Sequence, residues 1–178
     1  MSNADIAKPL TLETQAVFPA SRQIFKPVAA LQSETLRLAF ATWQELAADR
    51  FAPSRREVSP ARFKVMLASI FLVEVVDDAE DFKFVLGGQK LIQFMGGRHA
   101  GRYLSGLPKS EFYDRMRRIF TRCASTRLPV AIGPIPTARD GREYLSIELI
   151  VLPLSDDGVT VTGLLGVAEL SPPRHEDP

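Results

Sequence analysis

The side chains able to do chemistry are few and far apart in this sequence. There are two histidines, His99 in a glycine-rich stretch and His175 near the C-terminus, and a single cysteine, Cys123. A histidine acting as general base needs a serine or cysteine nucleophile within reach and a third group to orient it. Neither histidine has a sequence neighbour of that kind. No Gly-x-Ser-x-Gly elbow, phosphate loop or His-Glu-x-x-His pair occurs either. Glu74, Glu148 and Glu169 fall inside apolar runs, where paired carboxylates could share acid/base work. Period-two alternation sets Glu148 with Tyr144 and Ser146, opposite Leu145, Ile147, Leu149 and Val151, which reads as a partly exposed sheet surface. The expectation is a protein that is not an enzyme.

Basic side chains are the next candidates. Arg115, Arg118 and Arg122, with Arg117 and Arg127 nearby, could offer a surface to anions or nucleic acid. They fall on the polar face of an amphipathic helix, where charge is expected, and no aromatic residues are interleaved for base stacking. The formal net charge of the chain is +1, too small an excess to neutralise several phosphates or to favour an anionic membrane. Neither nucleic acid nor a membrane is an expected partner. One cysteine excludes an intrachain disulfide and a thiolate metal cage, and no metal site is read. With no apolar run of the roughly 20 residues needed to span a bilayer, and no basic start followed by an apolar stretch, the expected location is the cytoplasm.

The elements that must position these groups follow from periodicity. Residues 1–27 carry Pro9, Pro19 and Pro27 without sustained pattern and read as a flexible arm. A helix is predicted over residues 28–50, followed by a linker to residue 58. On that helix Leu31, Leu36, Leu38, Ala39, Phe40, Trp43, Leu46 and Ala47 spread over an arc of roughly 200°, wider than the roughly 100° stripe that one core contact requires. Two readings stay open. The helix lies deep in a groove of its own domain, or it contacts its own sheet on one side and another subunit on the other. The second makes Leu36, Phe40, Trp43 and Ala47 interface residues and the protein a homodimer or the partner of a signalling protein.

Residues 59–170 form the main domain. Ser59 as N-cap with Pro60 at the first position predicts a short helix to about residue 68. A hairpin follows, Ile70 to Val76 and Phe82 to Leu86, joined by the acidic turn 77–81. Glycines punctuate a short helix over Lys90 to Met95 and the turns after it. A helix capped by Ser110 runs from Glu111 to about Ser125, with Phe112, Tyr113, Met116, Ile119, Phe120 and Cys123 on one face. Three strands complete the pattern: 128–137, placed at a sheet edge by Pro129, Pro134 and Pro136, then 143–152 and 159–170. Residues 171–178 read as a disordered tail.

That order resembles a PAS domain. The likeness is to a bacterial, mainly alphaproteobacterial, group of small stand-alone proteins, PAS domain family five, over roughly residues 42–170. It rests on the Trp43 helix, the Pro53-Ser54-Arg55 linker, the hairpin, the Gly96 to Leu107 segment with Gly101-Arg102 and Leu104, and Leu152-Pro153-Leu154 before an Asp-Gly turn. Where the family has Gly-Thr after the second strand, this chain has Gly88-Gln89. The resemblance implies an α+β fold, a five-stranded antiparallel sheet with short helices on one face and an N-terminal flanking helix. It implies a sensory or regulatory module acting through protein–protein contacts, gated by a small ligand. The alternative is a sensor of small hydrophobic metabolites whose main role is ligand capture. A haem ligand on the long helix and the cysteine of a photoactive flavin motif are both missing, so no cofactor is expected. The cavity such a fold encloses would be lined by Phe112, Met116, Ile119 and Cys123 from the helix and Leu145, Ile147 and Leu149 from the facing strand. Arg102 or Tyr103 would supply a polar anchor.

Overall fold

The computed structural model describes residues 24–172; the expectations for the start of the arm and the end of the tail fall outside them. Six strands, β1 (Phe25–Lys26), β2 (Ile70–Val76), β3 (Asp81–Gly87), β4 (Val130–Pro136), β5 (Ser146–Leu154) and β6 (Gly163–Ser171), form one sheet in the order β1-β4-β5-β6-β2-β3. Every neighbouring pair is antiparallel. Five of these strands are those expected from the sequence. The sixth, β1, has two residues and pairs Phe25 with Ile132 and Lys26 with Ala131. It moves β4 off the edge of the sheet, while Pro134 and Pro136 lie beyond its reach and cost no ladder bond there.

Alternation along the strands divides the apolar residues between two cores. Ile147, Leu149 and Val151 of β5 face one side, with Phe71, Val73, Phe82 and Phe84. There they meet α3 (Glu111–Thr126), which buries Phe112, Ile119, Phe120 and Cys123, and α2 (Gln89–Met95), which buries Leu91 and Phe94. Ile150, Leu152 and Leu154 face the other side and meet α1 (Glu34–Ala47) through Leu36, Ala39 and Trp43. The sheet is therefore covered on both faces, by α2 and α3 on one and by α1 on the other.

Helix α1 begins later than its composition predicts. Val28–Ala30 form a separate single turn, and Ser33 is extended, its hydroxyl accepting from Leu36 N–H at 3.3 Å. The N–H groups of Gln32 and Ser33 are directed to the Glu148 carboxylate at 2.7 and 2.8 Å, so they are withheld from any earlier helical turn. The helix expected over residues 60–68 is also absent. Arg62, Met66 and Ser69 each donate to the carbonyl three residues back, which breaks the segment into tight turns and drops Phe63 and Met66 into the core beneath α1. Strand β5 starts at Ser146 rather than 143 because Leu145 N–H turns back to Arg142 O at 2.9 Å. It continues through Pro153 to Leu154.

Trp43 fixes the C-terminal half of α1. Its indole Nε1 donates to Pro153 O at 2.8 Å in a buried setting. Trp43→Phe keeps most of the apolar area and leaves that carbonyl without its donor, a loss of about 2 kcal/mol. Trp43 is the only tryptophan, so urea unfolding followed by far-ultraviolet circular dichroism is the measurement. Equal midpoints for the two proteins would contradict this account.

Candidate functional site

A cavity of about 250 Å³ lies between α2, α3 and the inner face of the sheet. Phe112, Met116 and Ile119 of α3 and Ile147 and Leu149 of β5 line it, bringing together five of the residues expected there. Phe71, Phe84, Leu91, Phe94, Ile132 and Ala168 complete an apolar wall. The aromatic rings are set edge-on: Phe94 to Phe112 at 5.7 Å and Phe84 to Phe120 at 6.4 Å between centroids.

Four residues expected at this site stand elsewhere. Cys123 belongs to the same core but not to the cavity wall. Its Sγ donates to Val151 O at 3.6 Å, and burial pushes the thiol well above its ordinary pKa. It is a packed, protonated side chain, with none of the thiolate character that reactivity requires. Leu145 precedes β5 in the turn just described and is only half-buried. Arg102 takes part in the backbone, its carbonyl accepting from Phe84 N–H at 2.9 Å, and its side chain lines a neighbouring surface pocket. Tyr103 is 43% exposed, with the Lys83 ammonium 5.6 Å from its ring centroid.

The polar groups at the cavity are instead Arg98, His99, Arg115 and Thr137. The helical pattern places Arg115 on the polar face with the arginine row, and the structure turns it inward. Its side chain is only 15% exposed and reaches across to β4, where Nη1 donates to Pro136 O at 2.7 Å. Nη2 donates to Glu111 Oε1 at 3.0 Å, and Nε is buried with no partner among the described residues. A signal was available, since at 100° per residue Arg115 sits about 40° from Ile119 on the wheel. Of the rest of the row, Arg117 donates to Glu80 O at 3.1 Å, Arg122 lies 4.6 Å from the Phe25 ring centroid and Arg127 4.0 Å from that of Phe51, while Arg118 is exposed. His99 is engaged by both ring nitrogens, Nδ1 with Gly97 O at 3.0 Å and Nε2 with Tyr113 hydroxyl at 3.3 Å.

The opposite face of β5 holds a second polar centre. Glu148, between Ile147 and Leu149, is 6% exposed rather than part of an open surface. Besides the two backbone donors at the start of α1, it receives the Lys26 ammonium in an ion pair. Burial pushes its carboxyl up, but the hydrogen bonds from Gln32, Lys26 and Ser33 outweigh that, and its pKa lies below the ordinary value. Glu169 stands opposite Glu148 across the β5–β6 ladder and is bound separately, by Ser69 hydroxyl at 2.9 Å. Glu74 is exposed.

The interface candidates divide. Leu36 and Trp43 are buried against the chain's own sheet, and Ala47 is buried as well. Phe40 is half-buried, stacked on Trp43 with centroids 6.0 Å apart. Leu38, 47% exposed, is the large apolar side chain that α1 presents outward. Among the described residues no group of three His, Cys, Asp or Glu is placed to hold a metal, and no helix is long and apolar enough to cross a membrane.

Five long antiparallel strands, extended at one edge by the two-residue β1 and closed on the inner face over a cavity by a short helix and one long helix, define a domain of the PAS class. The chain belongs to PAS domain family five, whose pattern it matches over residues 31–169. It is thus a sensory or regulatory module in its family assignment. The match takes in α1 as well as the sheet. No curated protein matches the chain in sequence.

Proposed function

We propose that the protein is a non-catalytic sensor that captures a small, largely apolar molecule in the cavity and answers through protein–protein contacts. The contact would be with a second copy of the chain or with a signalling partner. One observation carries the reading: an apolar cavity of about 250 Å³ in an otherwise packed core. A cavity of ~150 Å³ accepts benzene, so this one would hold a molecule of roughly ten non-hydrogen atoms.

The route from input to output runs through β5. Ile147 and Leu149 line the cavity, and Glu148 between them anchors Lys26 and the start of α1 on the other face. A ligand that favours one position of β5 thereby favours one state of the Glu148 anchor, by as much as its affinity differs between the two. Loosening the anchor frees the leading edge of α1 and gives a partner access to apolar surface that is otherwise covered.

Met116→Trp tests this by filling the cavity. The expected result is a folded protein, altered in stability by no more than about 1–3 kcal/mol, that no longer binds toluene. In the wild type, toluene should perturb the amide resonances of Gln32 and Ser33 as well as those lining the cavity. Toluene binding that left Gln32 and Ser33 unmoved would break the proposed route.

A further inference from the structure

We infer that the molecule captured is a small organic anion, an apolar body carrying a carboxylate that accepts a hydrogen bond from Arg115. The inference deepens the sensor reading and rests on it. The cavity is apolar over most of its wall, yet a cationic side chain closes one part of it. Arg115 commits Nη1 to Pro136 O and Nη2 to Glu111, and its Nε–H is buried without an acceptor among the described residues. A donor left so in a core is costly, and native structures satisfy nearly all such groups. Its one protein counter-charge, Glu111, is 71% exposed and screened by water. Arg115 lines the cavity and keeps a second N–H on each of Nη1 and Nη2, so an acceptor oxygen entering there has uncommitted donors to meet, and a charged one would be held more strongly than a neutral one.

A second observation also favours negative charge. A neighbouring pocket shares Met95, Gly97, Arg98, His99 and Phe112 with the cavity and carries Arg98, Arg102, Lys109 and Arg139 against one acid, Asp140. None of these four cations forms an ion pair among the described residues. A cleft lined by one sign of charge concentrates ligands of the other sign and speeds their arrival. The same asymmetry beside the cavity disfavours cationic metabolites such as amines.

The test compares three probes on the full chain by isothermal titration at low ionic strength: phenylacetate, its neutral isostere phenylacetamide, and toluene. The expected result is a dissociation constant for phenylacetate at least tenfold below that of phenylacetamide. Arg115→Leu should erase this difference while toluene binding persists. Arg115→Lys, which keeps the charge but lacks the forked guanidinium, should restore only part of it. Circular dichroism checks that each variant is folded, and if Arg115→Leu is not, the wild-type comparison of the two isosteres decides. Equal affinity for phenylacetate and phenylacetamide, or a phenylacetate preference that survives Arg115→Leu, overturns the anion inference and leaves the sensor reading standing. Binding of toluene alone has the same meaning. Failure of all three probes to bind overturns the sensor reading itself.

Discussion

Replacing Glu148 with glutamine lowers the thermal unfolding midpoint by roughly 6–12 °C at neutral pH, the largest effect expected of any single polar substitution here. The side chain is the same size, so packing is kept and chemistry alone changes. A carboxylate that accepts from Gln32 N–H, Ser33 N–H and the Lys26 ammonium becomes an amide with a single acceptor oxygen. Its NH₂ group then faces donors, and Lys26, 15% exposed, loses its counter-charge. Breaking a buried pair by removing one partner costs about 3–5 kcal/mol; with Lys26 able to reach water, about 3 kcal/mol is the expectation.

The same substitution predicts a pH signature. The folded-state pKa of Glu148 lies below its ordinary value of 4.5. Its contribution to stability is therefore present above that value and is lost as pH falls through the lower, folded value. Asp81 and Asp157 are also held below the ordinary range. Burial raises Asp81, but hydrogen bonds from Ser105 hydroxyl, Phe82 N–H and Ser105 N–H and the Arg117 charge outweigh it. Asp157 is lowered chiefly by Thr160 hydroxyl and then by the N–H groups of Thr160 and Val159. Both act equally in the two proteins. The difference in stability between wild type and Glu148→Gln thus isolates Glu148 and should shrink as pH falls below about 4.5. A constant difference from pH 7 to pH 3 would remove Glu148 as the anchor.

Glu148 also shows what the sequence could and could not convey. Alternation placed it correctly on the face opposite Ile147 and Leu149. What covers that face is a matter of tertiary structure, and the cover comes from a segment more than a hundred residues away. The side was legible; the burial was not. The same limit explains α1. Its apolar arc of more than one stripe was readable, but the start of the helix is set by where Gln32 and Ser33 send their N–H groups. Strand β1 was hidden for a related reason, since two residues carry no periodicity and Phe25–Lys26 exists as a strand only against β4.

The cavity was half legible. Helical spacing found Phe112, Met116 and Ile119, and strand alternation found Ile147 and Leu149, because each of those residues follows the simple rule for its element. Arg115 sits at the margin of the same helical face, and its charge argued for solvent. A long side chain can follow an apolar wall and still reach an acceptor, here Pro136 O. The hairpin β2–β3 and the long helix α3 were the easiest elements to read. In both, local propensity, capping and burial agree.

The second large effect is expected at Gly133, in the part of β4 where the ladder to β5 is broken. Pairing is regular up to Ile132↔Leu149 and resumes at Ile135↔Ile147, so two residues of β4 are spent where β5 spends one. This bulge sits beside Ile132, which lines the cavity, and opposite the segment of β5 that carries Ile147 and Glu148. Gly133 adopts φ +82°, a conformation that side-chain-bearing residues rarely take. A Cβ built there would overlap the carbonyl oxygen of Ile147 and lie 3.1 Å from Cα of Glu148. Both obstacles are backbone, so no rotamer change can relieve them.

Gly133→Ala must therefore strain its own backbone and push β5 away, together worth about 4 kcal/mol. Gly106 is the control: its φ is not positive and nothing lies within 4 Å of an added Cβ. Gly106→Ala should change stability by less than about 0.5 kcal/mol. The two proteins differ from wild type by the same single methyl group, and urea unfolding midpoints compare them directly. Because the displaced atoms belong to the strand that joins the cavity to the Glu148 anchor, any folded Gly133→Ala should also show shifted amide resonances at Gln32 and Ser33 without ligand. A stable Gly133→Ala protein with those resonances unmoved would mean that β5 is not held between the bulge and the anchor.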